Sequence, residues 1–182
     1  MKLSSRKIED LAQGMQDTVH VVLNECRDQG VDLLVTSTFR SLEDQARLFR
    51  KTRTLFEISQ KILVLRGLGF DFLADILGQV GPQAGRLGEH VTWAGPGESW
   101  HNYGLAFDVV VVRLGKPDWD PENDPDWETY VCTVERFGLE SAARWLKHRE
   151  WPHAQQKGLA SNPLTGLNPA AVRALLEKIG AL

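Results

Sequence analysis

An α+β fold follows from two β-branched apolar runs, Val31–Phe39 and Leu105–Val112, set among six stretches of helical periodicity. With 182 residues, no internal repeat and no low-complexity linker, the chain reads as a single domain spanning 1–182. Hydrophobic residues make up 42% and charged residues 25%, a balance that supports a packed core and excludes a disordered chain.

Each element has a local reason. Residues 5–29 place Ile8, Leu11, Met15, Val19, Val22 and Cys26 at helical spacing, and Gly30 stands at the C-cap position. Val31–Phe39 reads as a strand, after which Ser41 caps a helix carrying Glu43, Asp44, Gln45 and Leu48. Leu55–Leu65 and Phe70–Val80 read as helices separated by Gly67 and Gly69. Residues 81–100, rich in Gly and Pro, read as a long loop of the kind that often carries function. Leu105–Val112, with four consecutive valines, reads as a buried central strand. Residues 115–126 hold three prolines and four aspartates and read as a surface loop. Trp127–Phe137 returns to helix, Gly138 ends it, and His153 opens or precedes a last strand. Asn168 as N-cap, Pro169 at the first helical position and Gly180 as the stop define a final helix.

Composition excludes several function classes. The net charge of −3 comes with scattered Lys and Arg, so neither a nucleic-acid arm nor a polybasic membrane patch is expected. No apolar run approaches the roughly 20 residues that span a bilayer. The segment from Met1 to Asp10 has no apolar core and no small-residue cleavage site, so synthesis in the cytoplasm without a signal peptide is the expectation. Cys26 and Cys132 lack Cys or His neighbours and read as two buried thiols.

The segment Ser99-Trp100-His101-Asn102-Tyr103-Gly104-Leu105-Ala106-Phe107-Asp108 carries the chemistry. An aspartate inside an apolar run costs several kcal/mol, roughly, unless a cation or an arginine compensates. Gly104 lets the backbone turn so that His101 and Asp108 can converge. In Glu150-Trp151-Pro152-His153, Pro152 forbids a regular helix and leaves Glu150 near His153 without making it a ligand. Two histidines and one carboxylate form a zinc set that leaves a fourth position for water, and a free carboxylate beside it can act as general base. Arg40, at the end of the first strand, could hold an oxyanion or a substrate carboxylate. Taken singly, each residue has a plainer role: a surface histidine for His101, an arginine-paired carboxylate for Asp108, salt bridges for Arg40 and Glu150, a cap for Gln45. His20, His90 and His148 read as structural or surface residues.

Together these segments resemble the D-alanyl-D-alanine carboxypeptidase and L-alanyl-D-glutamate endopeptidase family of zinc metallopeptidases, which includes phage endolysins. The shared pattern is Ser99, His101, Gly104, Asp108, Glu150 and His153, with Ser-x-x-Phe-Arg-Ser and Gln45 upstream. The resemblance implies zinc on His101, Asp108 and His153, Glu150 as catalytic base and Arg40 as electrostatic stabiliser. Ser99, Gln45, Tyr103 and Trp151 fall to supporting or substrate-contacting positions. It implies a hedgehog- or DD-peptidase-like fold with a small, mainly antiparallel sheet flanked by helices. The motifs lie within 36–153, and 157–182 form a helical extension that does not resemble a wall-binding module. Two departures stand out: Ser141-Ala142-Ala143 replaces the family's usual Gly-Gly pair, and 51–90 looks like an insertion.

The expected function is zinc-dependent hydrolysis of peptidoglycan stem peptides, by a monomer without stable membrane insertion, at the L-Ala–D-Glu bond. Two alternatives stay open: removal of a terminal D-Ala, with Arg40, Arg47 or Arg86 gripping the carboxylate, and a non-catalytic zinc-binding module of the same fold. Release to the wall through a holin-type pore, in a phage or prophage setting, is the matching expectation for delivery.

Overall fold

The structure, a computed structural model, describes residues 2–81 and 91–182. The readings of Arg86, His90, the 82–90 part of the 81–100 loop and the end of the 51–90 insertion lie outside these residues. In chain order the elements are α1 (Gln13–Asp28), β1 (Leu33–Ser37), α2 (Leu42–Arg50), α3 (Leu55–Gly67), α4 (Asp71–Gln79), β2 (Ala106–Arg113), β3 (Lys116–Asp118), α5 (Pro125–Arg136), β4 (Leu139–Ser141), β5 (His153–Gln156) and α6 (Pro169–Lys178). Short 3-10 turns cover Ile8–Asp10, Trp100–Tyr103 and Ala142–Arg144. The chain is α+β, as its patterning predicts, and forms two compact units, each assembled from separate stretches.

The first unit comprises Met1–Ser4, Arg40–Tyr103 and Ala160–Leu182 and contains α2, α3, α4 and α6. Its caps follow the sequence: the Ser41 hydroxyl accepts from the Asp44 N–H, Thr54 and Glu57 form a capping box, and the Asn168 side chain accepts from the Ala171 N–H. Leu42, Ala46, Leu65, Leu73, Leu77, Val172 and Leu176 are fully buried. Arg50 and Arg53 are buried too, and each spends its charge on backbone: Arg50 Nη1 reaches the Leu77 carbonyl at 2.8 Å and Arg53 Nη2 the Thr92 carbonyl at 2.7 Å. No helix among the described residues is long and apolar enough to cross a membrane.

The second unit, Ser5–Phe39 and Gly104–Leu159, holds the whole sheet. The strands run in the order β1-β2-β5-β4, all antiparallel, with β3 on the far end of β2. Val109, Val110 and Val111 are all buried, so β2 is covered on both faces, which is why its sequence does not alternate. They join Met15, Val19, Val22 and Cys26 of α1 and Trp127, Tyr130, Val131 and Val134 of α5 in one core. Fully burying each such aliphatic side chain stabilises the fold by about 1.5–3 kcal/mol.

Three local expectations are corrected. The first helix starts at Gln13, not near residue 5; Ile8–Asp10 is a separate turn, and extended Leu11 and Ala12 let the Ala12 N–H reach the Gly104 carbonyl at 2.9 Å. Residues 115–126 are not all loop, because Leu114 and Gly115 both take positive φ, as a two-residue hairpin turn requires, and return the chain as β3. Cys132 is exposed, since it lies off the α5 face that buries Trp127, Tyr130, Val131 and Val134; both cysteines are free thiols.

Gly104 has φ +68°, and a Cβ there would stand 3.1 Å from the Ala12 nitrogen and 3.3 Å from the Asp10 carbonyl oxygen. Both obstacles are backbone and cannot swing aside. Gly104→Ala is therefore expected to destabilise the protein by about 1–3 kcal/mol, read as a lowered urea midpoint at unchanged slope.

Candidate metal centre

Asp108 lies on β2 directly opposite His153 on β5. Antiparallel partners place their side chains on the same face, so the register alone brings carboxylate and imidazole together. Asp108 Oδ1 stands 3.1 Å from His153 Nδ1, with the two side chains 19% and 10% exposed. Burial pushes the His153 imidazole down, but the Asp108 hydrogen bond and charge, with the Glu150 charge behind them, hold its pKa above the ordinary histidine value.

His101 is the third member. It sits in the Trp100–Tyr103 turn and is buried. Among the described residues His101, Asp108 and His153 form the one group of three such side chains that could hold a metal ion, each offering a ligand atom, all within 4.8 Å of one another. Bonds from zinc to nitrogen or carboxylate oxygen of about 2.0–2.2 Å place ligand atoms about 3–4 Å apart, a spacing of the same order. Three protein ligands of this chemistry leave a fourth position open, the mark of a catalytic rather than a structural zinc site. The donor set therefore fits the metal.

The turn that carries His101 is heavily tied. Asn102 Oδ1 accepts from the Gly97 N–H at 2.9 Å, while Asn102 Nδ2 donates to the Arg40 carbonyl at 2.9 Å. The Tyr103 hydroxyl donates to the Gly97 carbonyl at 3.0 Å. Glu98, nearly buried, accepts from Lys61 at 2.6 Å, from the Gly95 N–H and from Asn162. An ion pair this deep contributes little net stability but fixes a conformation, because removing either partner strands a charge.

Arg40 donates its backbone N–H to the His101 carbonyl at 3.0 Å, and its guanidinium donates to Gln45 Oε1 at 3.0 Å. Gln45 is fully buried and passes its own N–H to the Ala94 carbonyl at 2.7 Å. It thus holds Arg40 and the Ala94 backbone. Glu150 is exposed on the loop before β5, anchored by its backbone N–H to the Ala142 carbonyl, and close enough to His153 to raise that ring's pKa.

The Ser99 carbonyl accepts from the Asn102 N–H, so Ser99 enters through its backbone. Trp151 packs edge-on against Trp127 with ring centroids 6.5 Å apart, beneath the Arg149 guanidinium, as part of the wall of the core. Sequence reading passed over Trp145, whose ring lies 5.6 Å from that of His153 and whose indole N–H donates to Glu140 at 2.6 Å. It also passed over Gln155, two residues beyond His153 on the same face of β5. The period of two along a strand was the signal that could have found it.

The family of D-alanyl-D-alanine carboxypeptidases represented by VanY matches residues 8–151, and the chain belongs to it. A curated relative, the peptidoglycan L-alanyl-D-glutamate endopeptidase CwlK of Bacillus subtilis, is 27% identical over 135 residues, covering 70% of this chain. The match spans 62% of that relative's own length. Among solved structures, the L-Ala D-Glu endopeptidase ChiX of Serratia marcescens aligns with a TM-score of 0.46 at 16% identity, over 86% of this chain and 90% of its own. A Zn(II) complex of the vancomycin-resistance D,D-pentapeptidase VanY aligns at 0.47 and 17% identity, over 93% of this chain and 83% of its own.

If Asp108 is a ligand, Asp108→Asn removes the anionic donor. Zinc affinity, measured by competition with a chromophoric chelator, is expected to fall beyond the roughly 10–100-fold that losing an outer-shell partner costs.

Proposed function

We propose that this protein is a zinc-dependent peptidase acting on peptidoglycan stem peptides, with the L-Ala–D-Glu bond as its target. The observation that carries the reading is the grouping of His101, Asp108 and His153, with Glu150 on the loop that leads into β5. Membership of the carboxypeptidase family and likeness to an L-alanyl-D-glutamate endopeptidase support the substrate class.

His101, Asp108 and His153 would hold the zinc. When bound, zinc polarises a scissile carbonyl and brings the pKa of a water to about 7. Glu150, exposed and outside the ligand set, takes the proton from the attacking water and delivers it to the leaving amine, for which its carboxylate must stay free of the metal. Arg40 presents a fixed positive charge to the carbonyl oxygen as negative charge builds there. Gln45 keeps that guanidinium in place. A purely structural zinc has no use for a carboxylate outside its ligand set, so Glu150 favours the enzyme over a binding module.

The family's own description favours a second cut, release of terminal D-Ala. Incubation with purified muropeptides and mass spectrometry of the new termini separates the two, since one leaves N-terminal D-Glu and the other free D-Ala. Activity should disappear with a zinc chelator and return with zinc. Absence of any zinc-dependent product from any stem peptide would end the peptidase reading. Glu150→Gln should keep zinc and lose turnover by about 10²–10⁴-fold.

A further inference from the structure

We infer that Gln155 is a positioning residue that fixes which nitrogen of His153 meets the metal, an inference resting on the zinc reading above. Gln155 is 2% exposed, and its Oε1 lies 3.3 Å from His153 Nε2. On the other side of the same ring, Nδ1 faces Asp108 Oδ1. An ionised carboxylate only accepts, so a cation shared by Asp108 and His153 must be met by the Nδ1 lone pair. Nε2 then carries the ring's proton and needs an acceptor, and Gln155 Oε1 is in place to be that acceptor. Such a partner orients the imidazole and raises its basicity as a ligand.

Strand register makes room for this arrangement. Gln155 lies opposite Ala106 on β2, whose methyl group leaves space on the shared face, and opposite Glu140 on β4, whose carboxylate is engaged by the Trp145 indole. The other end of the amide argues that stability did not select it. Gln155 Nε2 is buried, and no atom among the described residues accepts from it. A buried amide half satisfied is a cost to the fold, of the kind kept where the satisfied half serves a site.

Gln155→Met keeps side-chain length and removes both the acceptor and the unmatched NH2. Zinc affinity is expected to fall about 10–100-fold relative to wild type, while the melting temperature of the metal-free protein holds or rises. A merely structural glutamine predicts the reverse, a lower melting temperature at unchanged affinity, and that result overturns the inference. NMR of imidazole nitrogens in zinc-loaded wild type gives a second test that needs no variant: a protected proton on His153 Nε2 supports it, and a proton on Nδ1 with Nε2 bound to zinc refutes it. Failure of wild type to bind zinc removes the peptidase reading and this inference together, whereas equal binding by wild type and variant removes this inference alone.

Discussion

A carboxylate set inside a buried strand is the constraint around which this molecule is arranged. Asp108 interrupts a run of apolar side chains on β2, a position that costs several kcal/mol, roughly, unless positive charge meets it. The protein answers with a cross-strand partner. Because β2 and β5 pair with Asp108 opposite His153, the compensating group is delivered by backbone hydrogen bonding. A slip of one residue would send the imidazole to the opposite face, so the site is as exact as the register.

The elements around the sheet hold that register. Packing of α1 and α5 with β2 provides the apolar burial that fixes β2, and Gly104 turns the chain back into β2 just after the His101 turn. Polar ties act over shorter range. Asn102 bonds Gly97 and Arg40, Glu98 draws in Lys61, Gly95 and Asn162, and Gln45 secures Arg40. Each is a buried polar group matched by backbone or an opposite charge, which gives directional rigidity where apolar packing alone would tolerate drift. The proposed metal ligands and Arg40 are held by these ties, while Glu150, the proposed base, stands exposed on a loop.

Much of this was legible in the sequence. The caps at Ser41 and Asn168, the buried valine strand and the His101–Asp108 spacing are local features, decided by side chains a few residues apart. The misread parts depended on distant contacts. The N-terminal turn before α1 gives up helical periodicity because Ala12 bonds to Gly104, ninety-odd residues away. Cys132 follows the helix pattern yet faces outward, since which side of α5 is buried depends on what packs there. Gln155 was passed over because the strand period places it on the His153 face without saying which atom it meets.

The sequence by itself determined which residues are candidates for metal-binding and proton-transfer chemistry, and the residue types that start and stop the helices, because these depend on side-chain chemistry and short-range backbone preference. Only the tertiary structure decided that His153 faces Asp108 through Nδ1, that Gln155 stands behind Nε2 and that Arg40 is tethered to Gln45 and to the His101 turn. Strand pairing joins positions 45 residues apart, and no local preference encodes which partner a strand will take or in what register.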